Sequence, residues 1–293
     1  MYFTHLPQRG LIRVSGPDRL PFLQGLVSND VLSLAKKGIV YAALLSPQGK
    51  FLHDFFLIDE GDTLLIDGEK VRLADLLRRL TLYRLHANVA FEPLSDEFSI
   101  VTLWDIPAAT TLPAPPSSTL VNTDPRLTAL GWRASGNIVT IRNWCTANGM
   151  QETTPDAYDK LRLELGVPDG SRDLTIDKSL ILPFGFEPLH GVDFVKGCYV
   201  GQEVTARSKH LGQQRKHLYT IRLISGTLPL SGTAIMHTDK NVGTLCSHSD
   251  GRGLALIATE ASTDNSDTFT CGDATIAATL PEWAQSQYRR NSN

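Results

Sequence analysis

Lys196-Gly197-Cys198-Tyr199-Val200-Gly201-Gln202-Glu203 stands where the chain changes character, and that change decides the fold class. Upstream, apolar residues recur at both strand and helix spacing. Leu11-Ile12-Arg13-Val14 reads as a first strand, closed by Ser15-Gly16-Pro17-Asp18, and Leu20, Leu23, Leu26 and Val27 then fall at helical spacing. Residues 39–45 and 51–58 read as a hairpin about the turn Ser46-Pro47-Gln48-Gly49, and a third strand spans Thr63–Asp67. Leu73, Leu76, Leu77 and Leu80 mark one face of a helix over roughly 69–83, and strands follow near 87–91 and 98–104. Downstream, short apolar stretches at 218–224, 233–236, 242–247, 253–259, 267–271 and 274–279 are separated by Gly, Asp, Ser and Asn. That is the pattern of a small antiparallel barrel or sandwich. The order predicts an α+β region followed by an all-β one.

Between these regions the signals are more local. Residues 107–119 hold Pro107, Pro113, Pro115 and Pro116 and read as a connecting loop. A strand is expected near 137–141. Thr154-Pro155-Asp156 is a helix start, with Tyr158, Leu161 and Leu165 as the apolar face and Gly166 as the stop. Residues 167–200 show weak periodicity, and long irregular segments in compact proteins are often functional.

Composition bounds the answer. The chain has 293 residues, enough for two or three domains of roughly 100–200 residues each. Apolar residues make up 42%, charged residues 20%, and the net charge is −3, so there is no global attraction to nucleic acid or anionic membrane. No apolar run reaches the roughly 18–20 residues of a membrane span. The first residues lack the pattern of a secretory or transit peptide, which makes a cytoplasmic protein the default expectation. The four cysteines, Cys145, Cys198, Cys246 and Cys271, form no CxxC pair, so thiols are expected rather than disulfides or a self-contained metal centre. Signatures for dinucleotide, nucleoside triphosphate, serine-hydrolase or zinc-protease sites are absent.

Cys198 leads the candidates for chemistry. Gly197 and Gly201 permit left-handed backbone around it, and Lys196 and Arg207 supply positive charge that favours a thiolate. It reads as a nucleophile, a redox thiol or a ligand lent to a shared cluster; the alternative is a small buried residue on a tight turn. Arg207, Lys209, His210, Arg215, Lys216 and His217 form a basic stretch suited to phosphates or a polycarboxylate tail, or to a solvated linker. Asp54, beside His53 in the hairpin, reads as a contact to a buried polar ligand or as half of a strand-end polar pair. Glu164, taken alone, reads as an exposed helical carboxylate.

Continued through Val204-Thr205-Ala206-Arg207, the motif resembles the hallmark of the YgfZ family, folate-binding relatives of the glycine-cleavage T protein linked to iron–sulfur cluster assembly. Pro21-Phe22-Leu23-Gln24, Ser28-Asn29-Asp30-Val31, Leu45–Leu57 and Leu161–Pro168 resemble further segments of that group. The resemblance implies a T-protein-like α+β fold, with two interleaved α/β modules over 1–210 and a C-terminal antiparallel β-barrel over 211–293. It implies tetrahydrofolate or a derivative as ligand, with Asp54 and Glu164 at the pterin end and Arg207 at the glutamate tail. Lys196, Gln202 and Glu203 join these as expected ligand contacts. Cys198 becomes the functional thiol, or a ligand to a transient iron–sulfur cluster shared with a carrier or scaffold protein. The implied role supports cluster-dependent enzymes, tRNA-modifying ones included, without membrane binding or direct nucleic-acid contact. T proteins carry an Asp-Asp pair in the hairpin where this chain has His53 and Asp54. That departure weighs against the alternative of a tetrahydrofolate-dependent aminomethyl transferase.

Overall fold

Two five-stranded sheets and a closed barrel form the strand framework in a computed structural model that describes residues 1–107, 110–210, 215–261 and 268–285. The chain begins with β1 (Tyr2–His5), β2 (Arg9–Ser15), α1 (Arg19–Gln24), α2 (Leu34–Lys37), β3 (Ile39–Leu45), β4 (Phe51–Asp59) and β5 (Leu64–Glu69). It continues through α3 (Leu73–Arg84), β6 (Ala90–Pro93), β7 (Phe98–Trp104), β8 (Leu120–Thr123), β9 (Trp132–Asn137), α4 (Ile138–Ala147) and β10 (Gln151–Glu152). Then come α5 (Pro155–Glu164), α6 (Gly170–Asp173) and α7 (Gln202–His210). The barrel strands are β11 (Lys216–Ser225), β12 (Ala234–His237), β13 (Lys240–Ser249), β14 (Arg252–Ala258), β15 (Thr268–Cys271) and β16 (Ala274–Thr279). No helix among the described residues is long and apolar enough to cross a membrane.

The chain forms two compact units. The first is Met1–Leu45, His53–Tyr158 and His190–Val200; the second is Ser46–Leu52, Asp159–Leu189 and Gly201–Asn293. The second unit thus takes in stretches upstream of residue 210 as well as the barrel. The predicted cut at 210/211 falls against residues 211–214, which lie outside the described residues.

Within the first unit one sheet runs β3-β4-β5-β2-β6 and the other β10-β1-β7-β9-β8. The consecutive strands β2–β6 are nested between β1 and the later strands of its sheet, which is the interleaving expected. Ile12 pairs with Ile66, and Ile66 with Leu57 across the next strand. Their apolar face is covered by Leu23, Leu76 and Leu80 of α1 and α3. The other sheet packs Phe3, Val101, Leu103 and Ala134 against Ile141, Trp144 and Cys145 of α4.

One expectation fails here: residues 138–141 are the first turn of α4, not a strand. Ile138, Val139 and Ile141 favour strands by local propensity. The Asn137 side chain overrides this by accepting from Val139 N and Thr140 N, both at 3.1 Å, a helix N-cap. Ile141, Trp144 and Cys145 are then buried at helical spacing.

In the second unit the barrel closes in the order β11-β14-β13-β12-β15-β16, with strands at all six predicted stretches; residue 267 alone lies outside the described residues. Alternate residues such as Tyr219 and Ile221, Ala255 and Ile257, and Ile276 and Ala278 fill the interior.

Candidate functional site

The first unit contains a cavity of about 750 Å³, within the roughly 300–1,000 Å³ of small-molecule sites. Gly38, in left-handed backbone at φ 73°, ends α2 and turns the chain into β3, whose Ile39, Val40 and Tyr41 line one wall. The segment after β8 supplies Asp124, Pro125, Arg126 and Leu127, and the irregular stretch before the cysteine motif supplies His190, Val192 and Asp193. Asn29, Lys37, Thr123 and Thr128 add further polar groups to the lining. The Asn29 amide ties this wall together, donating to Tyr41 O at 2.7 Å and His190 O at 2.6 Å.

Behind the cavity lies a buried ionic network. Arg126 donates in parallel to Asp124, Nε to Oδ1 at 3.0 Å and Nη2 to Oδ2 at 2.8 Å. Arg133 Nη1 stands 3.5 Å from Asp124 Oδ2, and its Nη2 reaches Asp67 Oδ2. Arg9 Nε reaches Asp67 Oδ1 at 2.7 Å. These residues come from β2, β5, β9 and the turn after β8, so the ionic network joins the two sheets. The guanidiniums of Arg9, Arg126 and Arg133 lie 5.7, 4.9 and 4.0 Å from the Phe56 ring centre, where the ring quadrupole attracts them. Burial alone would raise the Asp124 carboxyl, but Arg126 and Arg133 outweigh it and hold it ionised below its usual range.

Asp54 is buried and accepts from the Tyr41 hydroxyl at 2.8 Å. It therefore reaches the cavity through Tyr41 and is not itself a lining residue. Burial, then the Asp54 charge, pushes the Tyr41 phenol well above its ordinary value, so the phenol stays a donor. His53, its neighbour on β4, points to the opposite face, as successive strand residues do. Its Nε2 lies 2.9 Å from Asp75 Oδ2 on α3. Burial, then the Arg72 charge, lowers the imidazole to about 4 despite the Asp75 bond.

The cysteine motif divides into anchors and one free side chain. Lys196 Nζ donates to Gln24 O, Val27 O and Asn29 O at 2.8, 2.7 and 2.8 Å. Burial lowers the ammonium to about 8, with Asp30 and Asp193 opposing. Lys196 is thus a clamp on the chain after α1, not a loose cation for a ligand. Asp193 Oδ1 accepts from Val195 N and Lys196 N at 2.6 and 3.0 Å and fixes the turn before Cys198. Of the two motif glycines, Gly201 takes left-handed backbone at φ 82° and Gly197 does not. Cys198 is exposed, whereas Cys145, Cys246 and Cys271 are buried. Burial raises those three thiols, Cys145 to about 12. No cluster of His, Cys, Asp and Glu able to hold a metal ion exists among the described residues.

The remaining predicted ligand residues belong to the second unit. Gln202, Glu203 and Arg207 lie on α7, where exposed Glu203 and Arg207 pair at 3.3 Å, and Lys209 pairs with Glu187. Glu164 ends α5, and Arg252 holds its carboxylate at 2.8 Å. Its buried neighbour Arg162 instead binds Asp159, Asp173, Val167 O and Ser247 Oγ. Of the predicted binding set, the structure therefore brings Asp54 to the cavity wall through Tyr41, and Lys196 through Asn29. Sequence reasoning missed Arg126 and the ionic network around it. The signal was present in lone charges that interrupt apolar strands: Asp67 after Leu64-Leu65-Ile66, and Arg133 between Trp132 and Ala134.

Comparison with known proteins agrees with this architecture. Residues 215–286 match a family model described as the C-terminal beta-barrel domain of CAF17. The chain is 31% identical to human iron-sulfur cluster assembly factor IBA57, mitochondrial, over 95% of this chain and 84% of that protein. The mouse protein of the same name is 30% identical with the same coverage. A homolog from Mycosarcoma maydis is 34% identical over 76% of this chain, which spans 58% of that fungal protein. In structure, the chain resembles the glycine cleavage system aminomethyltransferase T from Bartonella henselae, with a TM-score of 0.74 over 96% of this chain and 85% of that one. At 14% identity that likeness establishes the fold, which is the expected one. The cytoplasmic expectation is corrected: the human, mouse and fungal relatives are all named as mitochondrial proteins.

Proposed function

Because the chain belongs to the family of the iron–sulfur cluster assembly factor IBA57, we propose that it serves cluster assembly through two features of its first unit, an exposed thiol and a ligand cavity. The observation that carries this reading is the contrast among the cysteines. Cys198 alone is exposed, at the end of a turn fixed by Asp193 and Lys196. A thiolate is a suitable iron ligand, and a cluster ordinarily takes four protein ligands. After Cys198 gives up its proton to solvent, its sulfur supplies one ligand to a cluster held mainly by a carrier or scaffold protein. The narrower likeness to the YgfZ family rests on the Lys196–Arg207 motif and extends the clients to cluster-dependent enzymes that modify tRNA.

The cavity suits a tetrahydrofolate-like molecule by its donor set. The Asp193 carboxylate can accept from ring N–H groups. Arg126 and Lys37 offer cations to a carboxylate tail, and apolar walls from Ile39, Val40, Leu127 and Val192 flank them. Such a ligand would supply a one-carbon carrier; this chain's residues would bind and orient it. Aminomethyl transfer gains no support from the hairpin, where His53 is turned to Asp75 and Asp54 is the remaining acid.

Anaerobic mixing with a cluster-loaded carrier protein, followed by visible absorption, tests the thiol. Wild type should perturb the cluster spectrum, and Cys198→Ala should not. A Cys198→Ala protein that perturbs it equally, or that fully restores cluster-dependent enzymes in a deletion strain, refutes the role.

A further inference from the structure

The inner wall of the cavity carries a cation with an unused edge. Arg126 is 7% exposed and lines the cavity. Its Nε and Nη2 form the side-on fork to Asp124, and Nη1 takes no hydrogen bond among the described residues. A guanidinium has five N–H donors; Nη1 is not one of the fully buried polar atoms without a partner, so it is accessible on the residue's cavity-lining side. The end-on edge of Arg126, Nη1 with the outer hydrogen of Nη2, is therefore a planar donor pair awaiting an acceptor. Asp124 cannot serve that edge, since its two oxygens already accept from Nε and Nη2, with Arg133 close by.

A second observation points the same way. His190, on the same lining, holds a left-handed backbone at φ 54°. A non-glycine residue in that region is uncommon, and backbone held in such sparsely populated conformations clusters at ligand sites. The Asn29 amide on its carbonyl sustains the conformation. Lys37, exposed and on the same lining, adds a second cation.

We infer that this wall is a carboxylate subsite: the ligand of the cavity presents a planar carboxylate to the free edge of Arg126, with His190 and Lys37 as its further polar neighbours. Of the two acids in the lining, Asp124 is compensated by Arg126 and Arg133, while Asp193 selects against a ligand anionic throughout, so the ligand carries N–H donors as well. The inference rests on the cavity being a small-molecule site and not on the pterin. The carboxylate could belong to the glutamate tail of a folate or to a free polycarboxylate.

The test uses the full chain and titration calorimetry with 5-formyltetrahydrofolate, its bis-carboxamide (in which both glutamate carboxylates are neutral amides), 4-aminobenzoylglutamate and citrate. Wild type should bind 5-formyltetrahydrofolate at least tenfold more tightly than the bis-carboxamide. Arg126→Gln should lose that difference, and rising salt should weaken the carboxylate-bearing ligands selectively. Arg126→Lys keeps the charge but not the planar fork and should fall between, which preserves the test if Arg126→Gln does not fold. Binding of 4-aminobenzoylglutamate or citrate that depends on Arg126 and is as tight as that of 5-formyltetrahydrofolate, with no binding of the bis-carboxamide, upholds the subsite and removes the folate reading. Equal binding of the bis-carboxamide and 5-formyltetrahydrofolate by wild type overturns the subsite and leaves the folate reading standing. Binding that is unaffected by either substitution, or no binding of any of the four probes, overturns the subsite.

Discussion

Asp67→Asn tests whether the ionic network between the two sheets is held by charge. Asp67 is fully buried, and its two oxygens receive Arg9 and Arg133. Arg9 and Arg133 are 7% and 3% exposed, so solvent cannot take over when the carboxylate is neutralised. Asparagine keeps the shape but replaces one acceptor oxygen with a donor that faces a guanidinium. Removing one partner of a buried ion pair costs about 3–5 kcal/mol, because the opposite charge stays behind uncompensated. Breaking an exposed pair such as Glu203–Arg207 should cost less than roughly 0.5 kcal/mol, which makes Glu203→Gln the matched control.

Urea titration followed by tryptophan fluorescence is the assay, since Trp104, Trp132 and Trp144 all lie in the first unit. The double variant Asp67→Asn/Arg133→Met removes one of the stranded cations. It should be more stable than the sum of the single effects by roughly 0.5–3 kcal/mol. A single-variant loss below about 1 kcal/mol, or strict additivity in the double, would refute the claim that charge compensation joins the sheets.

Two further outcomes follow from the same structure. The His53 imidazole is lowered from 6.5 to about 4 in the folded chain, so the unfolded chain binds the proton first. Stability from this group is complete above pH 6.5 and is lost as pH falls towards 4, by about 2 kcal/mol between pH 7.5 and 5. A His53→Asn protein should have a flatter pH–stability profile over that range, and an unchanged slope would show that His53 is not the responsible group. Lys196→Met removes a cationic donor from Gln24 O, Val27 O and Asn29 O and should destabilise by at least about 1.5–3 kcal/mol. If urea titration shows a loss below about 0.5 kcal/mol, the clamp reading of Lys196 is wrong.

What the sequence revealed depended on the range of the interaction. The six barrel strands were legible because each is a short alternating stretch bounded by turn residues, and their closure adds little that local pattern lacks. The β3–β4 hairpin was legible for the same reason: Ser46-Pro47-Gln48-Gly49 is a turn by its own chemistry, and Gly49 takes the left-handed backbone, φ 71°, that such a turn uses. The first turn of α4 was not, because its β-branched residues favour a strand until the Asn137 cap forms. The ionic network was hidden for a different reason. Arg9, Asp67, Asp124 and Arg133 are dispersed along the sequence and meet between two sheets: the charges that interrupt apolar strands mark buried positions locally, but not which of them pair. Glu164 shows the converse: its segment resembled a family motif, yet its carboxylate turns to Arg252, and the buried contacts belong to Arg162.

The structure also redistributes roles within the cysteine motif. Proximity in sequence suggested that Lys196 would activate Cys198, but the lysine is spent on three carbonyls after α1. Through Asn29 that clamp continues to the cavity, since the Asn29 backbone carbonyl holds Lys196 while its amide holds Tyr41 and His190. Gly201 and Asp193 likewise fix backbone. What remains for chemistry in Lys196–Val200 is one exposed thiol, on a turn hydrogen-bonded to the wall of the cavity. Among the described residues no group of His, Cys, Asp and Glu could hold a metal ion with Cys198, and a thiol without a base beside it is poorly equipped to catalyse alone. That asymmetry, rather than the presence of a cysteine, is what the shared-cluster proposal rests on.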